Sequence, residues 1–132
     1  MPIMAKGLSM LTKVHVEYLS NYGIDYLDAM DRFAGNESLY FRLASKFVND
    51  ENMSALKDAL SLRDVNKAIA SAHALKGVSG NLSFKELYSV MCEMTELLRA
   101  ENIAAAEVLL PHAQKAYDKV IDFITVLSHE LH

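Results

Sequence analysis

The segment between Ser71 and Leu82 places a histidine, a lysine and two glycines inside a pattern that otherwise favours an α-helix. At about 100° per residue, four of its members share one side of that helix: His73, Lys76, Gly77 and Gly80. An exposed imidazole nitrogen is a nucleophile near neutral pH. An interior glycine costs a helix about 1 kcal/mol relative to alanine, so two of them on one face require a reason. We therefore predict that His73 is exposed on a helix surface from which side-chain bulk has been removed.

Such a surface suits phosphoryl transfer. Attack by an imidazole on a phosphoryl group gives a phosphoimidazole with added negative charge, which the ammonium group of Lys76 can offset from three residues away. The missing bulk at Gly77 and Gly80 would let another protein's active site close over the ring, because this chemistry depends mainly on in-line positioning. Three other interpretations stay open: His73 is an ordinary surface histidine, Lys76 is a solvated lysine, or the glycines permit close helix packing.

The elements that must position this segment are all helical. Residues that favour helices dominate, and strand-like alternation is scarce, so we predict an all-α fold. Its architecture would be an antiparallel four-helix bundle with additional short N-terminal helices. The expected helices run approximately over residues 9–18, 25–33, 37–47, 52–60, 64–82, 84–100 and 103–128. We assign residues 1–22 to an N-terminal extension, 23–128 to the bundle domain and 129–132 to a C-terminal tail.

Four of the expected helices carry start signals. Asn36, Asn52 and Asp64 are each predicted to cap the helix that follows. Ser83 and Glu86 have the spacing of a capping box, in which each side chain bonds to the other residue's backbone N–H.

Composition excludes several classes of protein. The chain has 132 residues, which suits one domain, and its single cysteine, Cys92, excludes an intrachain disulfide framework and a cysteine-cluster metal site. A formal net charge of -4 argues against nucleic-acid binding. No run approaches the roughly 18 apolar residues of a membrane span, and no export signal is visible, so we expect a cytoplasmic protein without a membrane partner. His129 and His132 lie at the C-terminus, and we predict no metal site there.

The run His73-Ala74-Leu75-Lys76-Gly77, followed by Gly80-Asn81-Leu82, resembles the signature of histidine-containing phosphotransfer (HPt) domains. The resemblance extends roughly from Gly23 to Leu127. It implies a four-helix bundle in which His73 is phosphorylated on Nε2 and Lys76 steadies the phosphoryl group. It also implies a docking surface that Gly77 and Gly80 keep open. With them we assign three further residues to that surface: Ile69, Ala70 and Phe84. The family often has glycine after the Asn-Leu pair, whereas Ser83 follows here.

The resemblance implies a phosphorelay intermediate. Such a protein accepts a phosphoryl group from a receiver-domain aspartate of a hybrid sensor histidine kinase and passes it to the aspartate of a response regulator. The chain lacks the Gly-x-x-x-x-Gly-Lys loop of ATP-binding proteins, so we expect a carrier without kinase or other enzyme activity. We expect no cofactor in the chain itself, since Mg²⁺ would belong to the partner receiver, and we expect a monomer.

Two alternative functions have sequence requirements of their own. The dimerisation segment of a histidine kinase usually has an acidic residue and a proline soon after its histidine, whereas Ala74 follows His73 and no proline comes close behind. A non-catalytic helical adaptor or a metal-binding bundle is the other alternative. A metal-binding bundle would need Glu-x-x-His pairs facing one another, and the sequence has no such repeat.

Overall fold

A computed structural model describes residues 15–130, and for residues 128–130 it describes the backbone only. Within this range the secondary structure is helical, without strands. Residues 15–20 form α1. The elements that follow are α2 (Tyr26–Arg32), α3 (Glu37–Ser45), a 3-10 helix (Lys46–Asn49), α4 (Asn52–Ser61), α5 (Val65–Asn81), α6 (Lys85–Arg99) and α7 (Ile103–Glu130). The all-α prediction is confirmed. The predicted helix over residues 9–18 lies mostly outside the described residues, and its described part continues to residue 20.

Two of the three predicted caps are confirmed. The Asn36 side chain accepts a hydrogen bond from the backbone N–H of Leu39 at 3.0 Å, and Asp64 accepts one from Lys67 at 3.1 Å. The predicted Asn52 cap is wrong, because Asn52 is the first residue of α4. The carboxylate of Asp50, two residues earlier, accepts the Asn52 N–H at 2.8 Å.

The longest helices form the bundle. Each of α4, α5 and α6 packs against the helix that follows it, and α4 also contacts α7, which closes the ring. The connections between successive helices are short, and this makes neighbouring helices antiparallel. Helix α3 lies against α7, where the rings of Phe41 and Phe123 approach to 6.0 Å between centroids. The core of the bundle is apolar, with Leu75, Met91 and Leu98 fully buried.

The N-terminal part of the chain is joined to the turn between α5 and α6. The Asp25 N–H donates to the Ser83 carbonyl at 3.0 Å, and the buried Tyr40 hydroxyl donates to the Leu82 carbonyl at 2.6 Å. Gly23 has φ +74°, and a Cβ there would lie 2.7 Å from Cβ of Glu86, so this crossing requires glycine. These contacts fix α2 beside the carboxyl end of α5.

The core extends into the segment before the assigned bundle domain. Leu19, on α1, is 2% exposed and belongs to the same buried cluster as the bundle residues. The domain boundary at residue 23 stays a prediction.

None of the described helices is both long enough and apolar enough to span a membrane.

Candidate functional site

Helix α5 separates a buried face from an exposed one. Its buried residues are Ala68, Ser71, Ala72, Leu75 and Ser79. The hydroxyl of Ser79 donates back to the Leu75 carbonyl at 2.6 Å, so this buried polar group is satisfied within the helix. Small residues dominate the buried face, which lets α4 and α6 approach α5 closely and leaves its opposite face to solvent.

His73 lies on that opposite face. Its side chain is exposed, as the sequence predicted, and it makes no hydrogen bond or ion pair with any described residue. The imidazole is therefore free of partners within the described residues. Because the helix is continuous through this position, the ring projects from a rigid backbone rather than from a loop.

The two glycines of α5 have different surroundings. A Cβ built on Gly77 would meet nothing within 4 Å, so the surface one turn beyond His73 is open. A Cβ on Gly80 would lie 3.2 Å from ring carbons of Tyr88, which projects from α6. The structure thus divides the two interpretations offered by the sequence. Gly77 leaves space for another molecule, and Gly80 leaves space for a side chain of the protein itself.

A groove of about 390 Å³ runs beside His73. Helix α5 forms one wall with His73, Lys76 and Gly77, and residues of α2 and α6 complete it. Lys76 is half-buried and has no carboxylate partner among the described residues. Lys76 and His73 line the same cavity, and this lysine is available to an anion bound there.

The α2 side of the groove holds a linked set of polar groups. The Arg32 Nε donates to Asp28 Oδ2 at 2.9 Å, and the Ser83 hydroxyl donates to the same oxygen at 2.8 Å. The hydrogen bond from Arg32 and then that from Ser83 lower the pKa of the Asp28 carboxyl below its ordinary value of 3.8. Asp28 is therefore ionised at neutral pH and holds Arg32 at the groove.

Lys85 borders the same groove and forms an ion pair with Asp25, which does not line the groove. The Lys85 Nζ donates to Asp25 Oδ2 at 2.9 Å. The pKa of the Asp25 carboxyl is lowered first by the hydrogen bond from the Asp28 backbone N–H and then by Lys85.

The sequence did not reveal that Asp28 and Arg32 lie at this groove. Their spacing of four residues signals an ion pair on a helix, but nothing local indicates that this helix lies against the histidine.

Two predictions near the turn are wrong. Phe84 is 0% exposed and packs against Phe47, with 5.3 Å between ring centroids, so it contributes nothing to a docking surface. An apolar ring beside a turn is more stable in the core than in water. Ser83 and Glu86 form no capping box, because Phe84 is the N-cap residue, the Ser83 hydroxyl bonds to Asp28, and the Glu86 carboxylate pairs with Lys119 at 3.1 Å.

The other residues assigned to the docking surface lie one turn before His73. Ala70 is exposed and Ile69 is half-buried, and neither lines the groove. In the part of the chain that the structure describes, no group of three or more His, Cys, Asp or Glu side chains could hold a metal ion. His132 and the side chain of His129 lie outside the described residues.

Comparison with known proteins gives one match. The model of the Hpt domain family matches residues 48–123, which includes all of α4, α5 and α6 and most of α7. Searches of curated proteins and of solved structures found no significant match. The matched range contains His73, Lys76 and both glycines of α5, whereas α2 and α3 precede it.

Proposed function

Because the chain belongs to the Hpt domain family, whose members have a phosphotransfer role in two-component signalling, we propose that it is a phosphorelay intermediate with His73 as the phosphoacceptor. Hpt domains interact with receiver domains in phosphorelays. We propose that this chain takes its phosphoryl group from a receiver-domain aspartate of a hybrid sensor kinase and passes it to the aspartate of a response regulator. The observation that carries the proposal is the exposed, unpartnered imidazole beside the open surface at Gly77.

The reaction needs only one nucleophilic atom from this chain. The lone pair of His73 Nε2 attacks the phosphorus of the receiver's aspartyl phosphate, in line with the bond that breaks. An N–P bond forms as the P–O bond to the aspartate breaks, and the electron pair returns to the aspartate carboxylate. The imidazole keeps its proton on Nδ1. The reverse sequence delivers the phosphoryl group to a second receiver, so neither direction requires a general base from the chain.

Lys76 supplies charge for the phosphorylated state. A phosphoimidazole bears more negative charge than the neutral ring, and the Lys76 ammonium group is the one groove cation of the described residues with no carboxylate partner. A lysine can approach the phosphoryl oxygens as a flexible point charge. Its role is to stabilise the product and to position the phosphoryl group, and not to transfer a proton.

The proposal makes the chain a carrier and not a kinase. Family membership supports this, since Hpt domains are phosphocarrier modules. We propose that Mg²⁺ is supplied by the partner receiver, that the chain has no cofactor of its own, and that it acts as a monomer. A small, transient interface suits a module that must leave one receiver before it meets the next.

The test is transfer from phosphorylated receiver domains to the purified chain. We expect the chain to acquire acid-labile, base-stable phosphate and His73→Gln to abolish it. His112→Gln is the matched control, because His112 is also an exposed histidine of a long helix but does not line the groove. Labelling retained in the His73→Gln protein, or lost in the His112→Gln protein, would assign the phosphate to another residue.

A small phosphoryl donor separates chemistry from docking. Phosphoramidate needs no protein interface, so it should label His73 in any variant whose imidazole and fold are intact. We expect Lys76→Ala to reduce the stability of the phosphorylated form with either donor while the bundle remains folded. Sedimentation should give the mass of one chain, and a stable dimer would contradict the monomeric carrier.

A further inference from the structure

One wall of the groove comes from a helix that precedes the matched family range. Helix α2 places Asp28 and Arg32 in the same groove as His73, although it ends sixteen positions before residue 48, at Arg32. The Arg32 side chain is 48% exposed. A protein docked over His73 would therefore meet this guanidinium as well as the surface of α5.

Arg32 is held in place by two successive hydrogen bonds. Asp28 accepts from the Arg32 Nε, and Ser83 donates its hydroxyl to the same carboxylate oxygen. Ser83 is only 3% exposed and has φ +58°, a conformation that favours glycine. The HPt resemblance also points to glycine near this position. Serine adopts this strained conformation here, and its hydroxyl, which glycine lacks, bonds to Asp28.

The anchored guanidinium keeps most of its hydrogen-bonding capacity. Arginine has five N–H donors, and Asp28 uses the one on Nε. The four donors on the Nη nitrogens bond to no described residue. Two of them form the planar fork that binds a carboxylate in bidentate fashion. An exposed helical ion pair adds only about 0.3–0.5 kcal/mol to stability, so stability alone gives little reason for this arrangement.

The charge of the groove complements an acidic partner. Three cations line it, Arg32, Lys76 and Lys85. Asp28 pairs with Arg32 and Asp25 pairs with Lys85, so the charge of Lys76 is left without a carboxylate partner among the described residues. The chain as a whole has a formal net charge of -4. The groove therefore carries a small excess of positive charge on an acidic protein, beside the residue that must meet an aspartyl phosphate. A receiver domain must present carboxylate chemistry at that point, and charges at the rim of an interface set association rate and partner choice.

We propose that Arg32 is a specificity-determining residue that binds a carboxylate of the docking receiver, with Asp28 and Ser83 as its positioning residues. This inference rests on the proposed function. It adds that α2 distinguishes among receivers: those with a carboxylate opposite Arg32 are preferred over those without one. Ser83 is the residue that couples the turn after α5 to this selection.

The experiment measures phosphotransfer from each receiver domain of the source organism to the wild type, Arg32→Gln, Arg32→Lys and Arg63→Gln. The last is the matched control, because Arg63 is an exposed, ion-paired arginine in the turn before α5 and does not line the groove. We expect Arg32→Gln to raise the KM about tenfold for the preferred receivers, with kcat unchanged and a weaker dependence on salt. Arg32→Lys should restore only part of the loss, since lysine lacks the fork.

Two further measurements exclude a purely structural role. Phosphoramidate should label Arg32→Gln at the rate of the wild type, because no docking is involved. Ser83→Gly should leave the fold intact and raise KM for the same receivers by roughly twofold to threefold, since Arg32 is then less firmly positioned.

The outcomes separate the two proposals. If wild-type His73 is labelled and Arg32→Gln matches Arg63→Gln for every receiver, the selection role is wrong and the phosphocarrier role stands. If Arg32→Gln lowers labelling by phosphoramidate as much as by receivers, Arg32 supports the fold or the ring and does not select partners. If no donor labels His73, the proposed function fails, and this inference fails with it.

Discussion

The surfaces around Gly77 and Gly80 show how one residue type serves two purposes on the same helix face. Around Gly77 the absent side chain leaves open space next to His73. Around Gly80 the space is filled by the ring of Tyr88, at 3.2 Å from the ideal Cβ position. The first glycine is therefore expected to matter to a partner molecule and the second to the packing of α6 on α5. Substitutions at the two positions should separate binding from stability.

The largest effect on phosphotransfer is expected from Gly77→Leu. The new side chain would project into the open surface beside the imidazole, so we expect phosphotransfer from receivers to fall at least about tenfold, a loss of ~1.4 kcal/mol in transition-state stabilisation. Labelling by phosphoramidate and the midpoint of thermal unfolding should stay near the wild type. Equal transfer by Gly77→Leu would show that the docked receiver leaves this surface uncovered.

Substitutions in the core beside the Gly80 end of α5 should lower the free energy of unfolding. The Tyr40 hydroxyl donates to the Leu82 carbonyl in the core, directly after α5. Tyr40→Phe leaves that buried acceptor without this donor, and we expect a loss of about 1–3 kcal/mol in the free energy of unfolding, measured by urea denaturation. A stability unchanged within error would mean that water replaces the hydroxyl, and the support of this half would then lie elsewhere.

Alanine substitutions compare the two glycines directly. Gly77→Ala should raise the free energy of unfolding by up to about 1 kcal/mol, because helix propensity improves and nothing is displaced. Gly80→Ala should gain less or lose stability, since Tyr88 must shift. A double-mutant cycle with Tyr88→Ala should show a coupling of roughly 0.5–1 kcal/mol at Gly80 and none at Gly77. Equal coupling at both positions would erase the distinction between them.

The smallest effect concerns the ion pair between Asp28 and Arg32. The pKa of Asp28 is lowered in the fold, so its contribution to stability is present above pH 3.8 and is lost as the pH falls below that value. An NMR titration of the Asp28 carboxyl should give a midpoint below 3.8 in the wild type and one closer to 3.8 in Ser83→Ala. A midpoint at or above 3.8 in the wild type would contradict the anchoring of Arg32.

The sequence predicted the all-α fold and the exposure of His73 well, because both depend on local periodicity. The apolar spacing and the Asp64 cap place α5, and the phase of His73 relative to Ala72 and Leu75 makes the ring exposed. What it could not predict depends on contacts between distant parts of the chain. Ser83 was assigned to a capping box, yet its hydroxyl bonds to Asp28, fifty-five positions away.

Phe84 shows the same limit from the opposite direction. Its place near the motif suggests a docking role, whereas its ring packs against that of Phe47, which is distant in sequence, and is buried in the core. The difference between Gly77 and Gly80 was also invisible, since it depends on which residue of α6 projects across α5. Local patterns therefore placed His73 on the helix surface, and tertiary contacts decided which residues lie beside it.

The hydrogen bond from Tyr40 to Leu82 has a consequence for transplanting this module into another signalling protein. A fragment that begins at residue 48 would retain His73 but would lack Phe41, whose ring packs against Phe123 of α7. It would also lack Tyr40, so the Leu82 carbonyl just after α5 would lose its hydrogen-bond donor. The smallest portable unit is therefore larger than the segment that carries His73, and chimeras should take their upstream junction before Leu19.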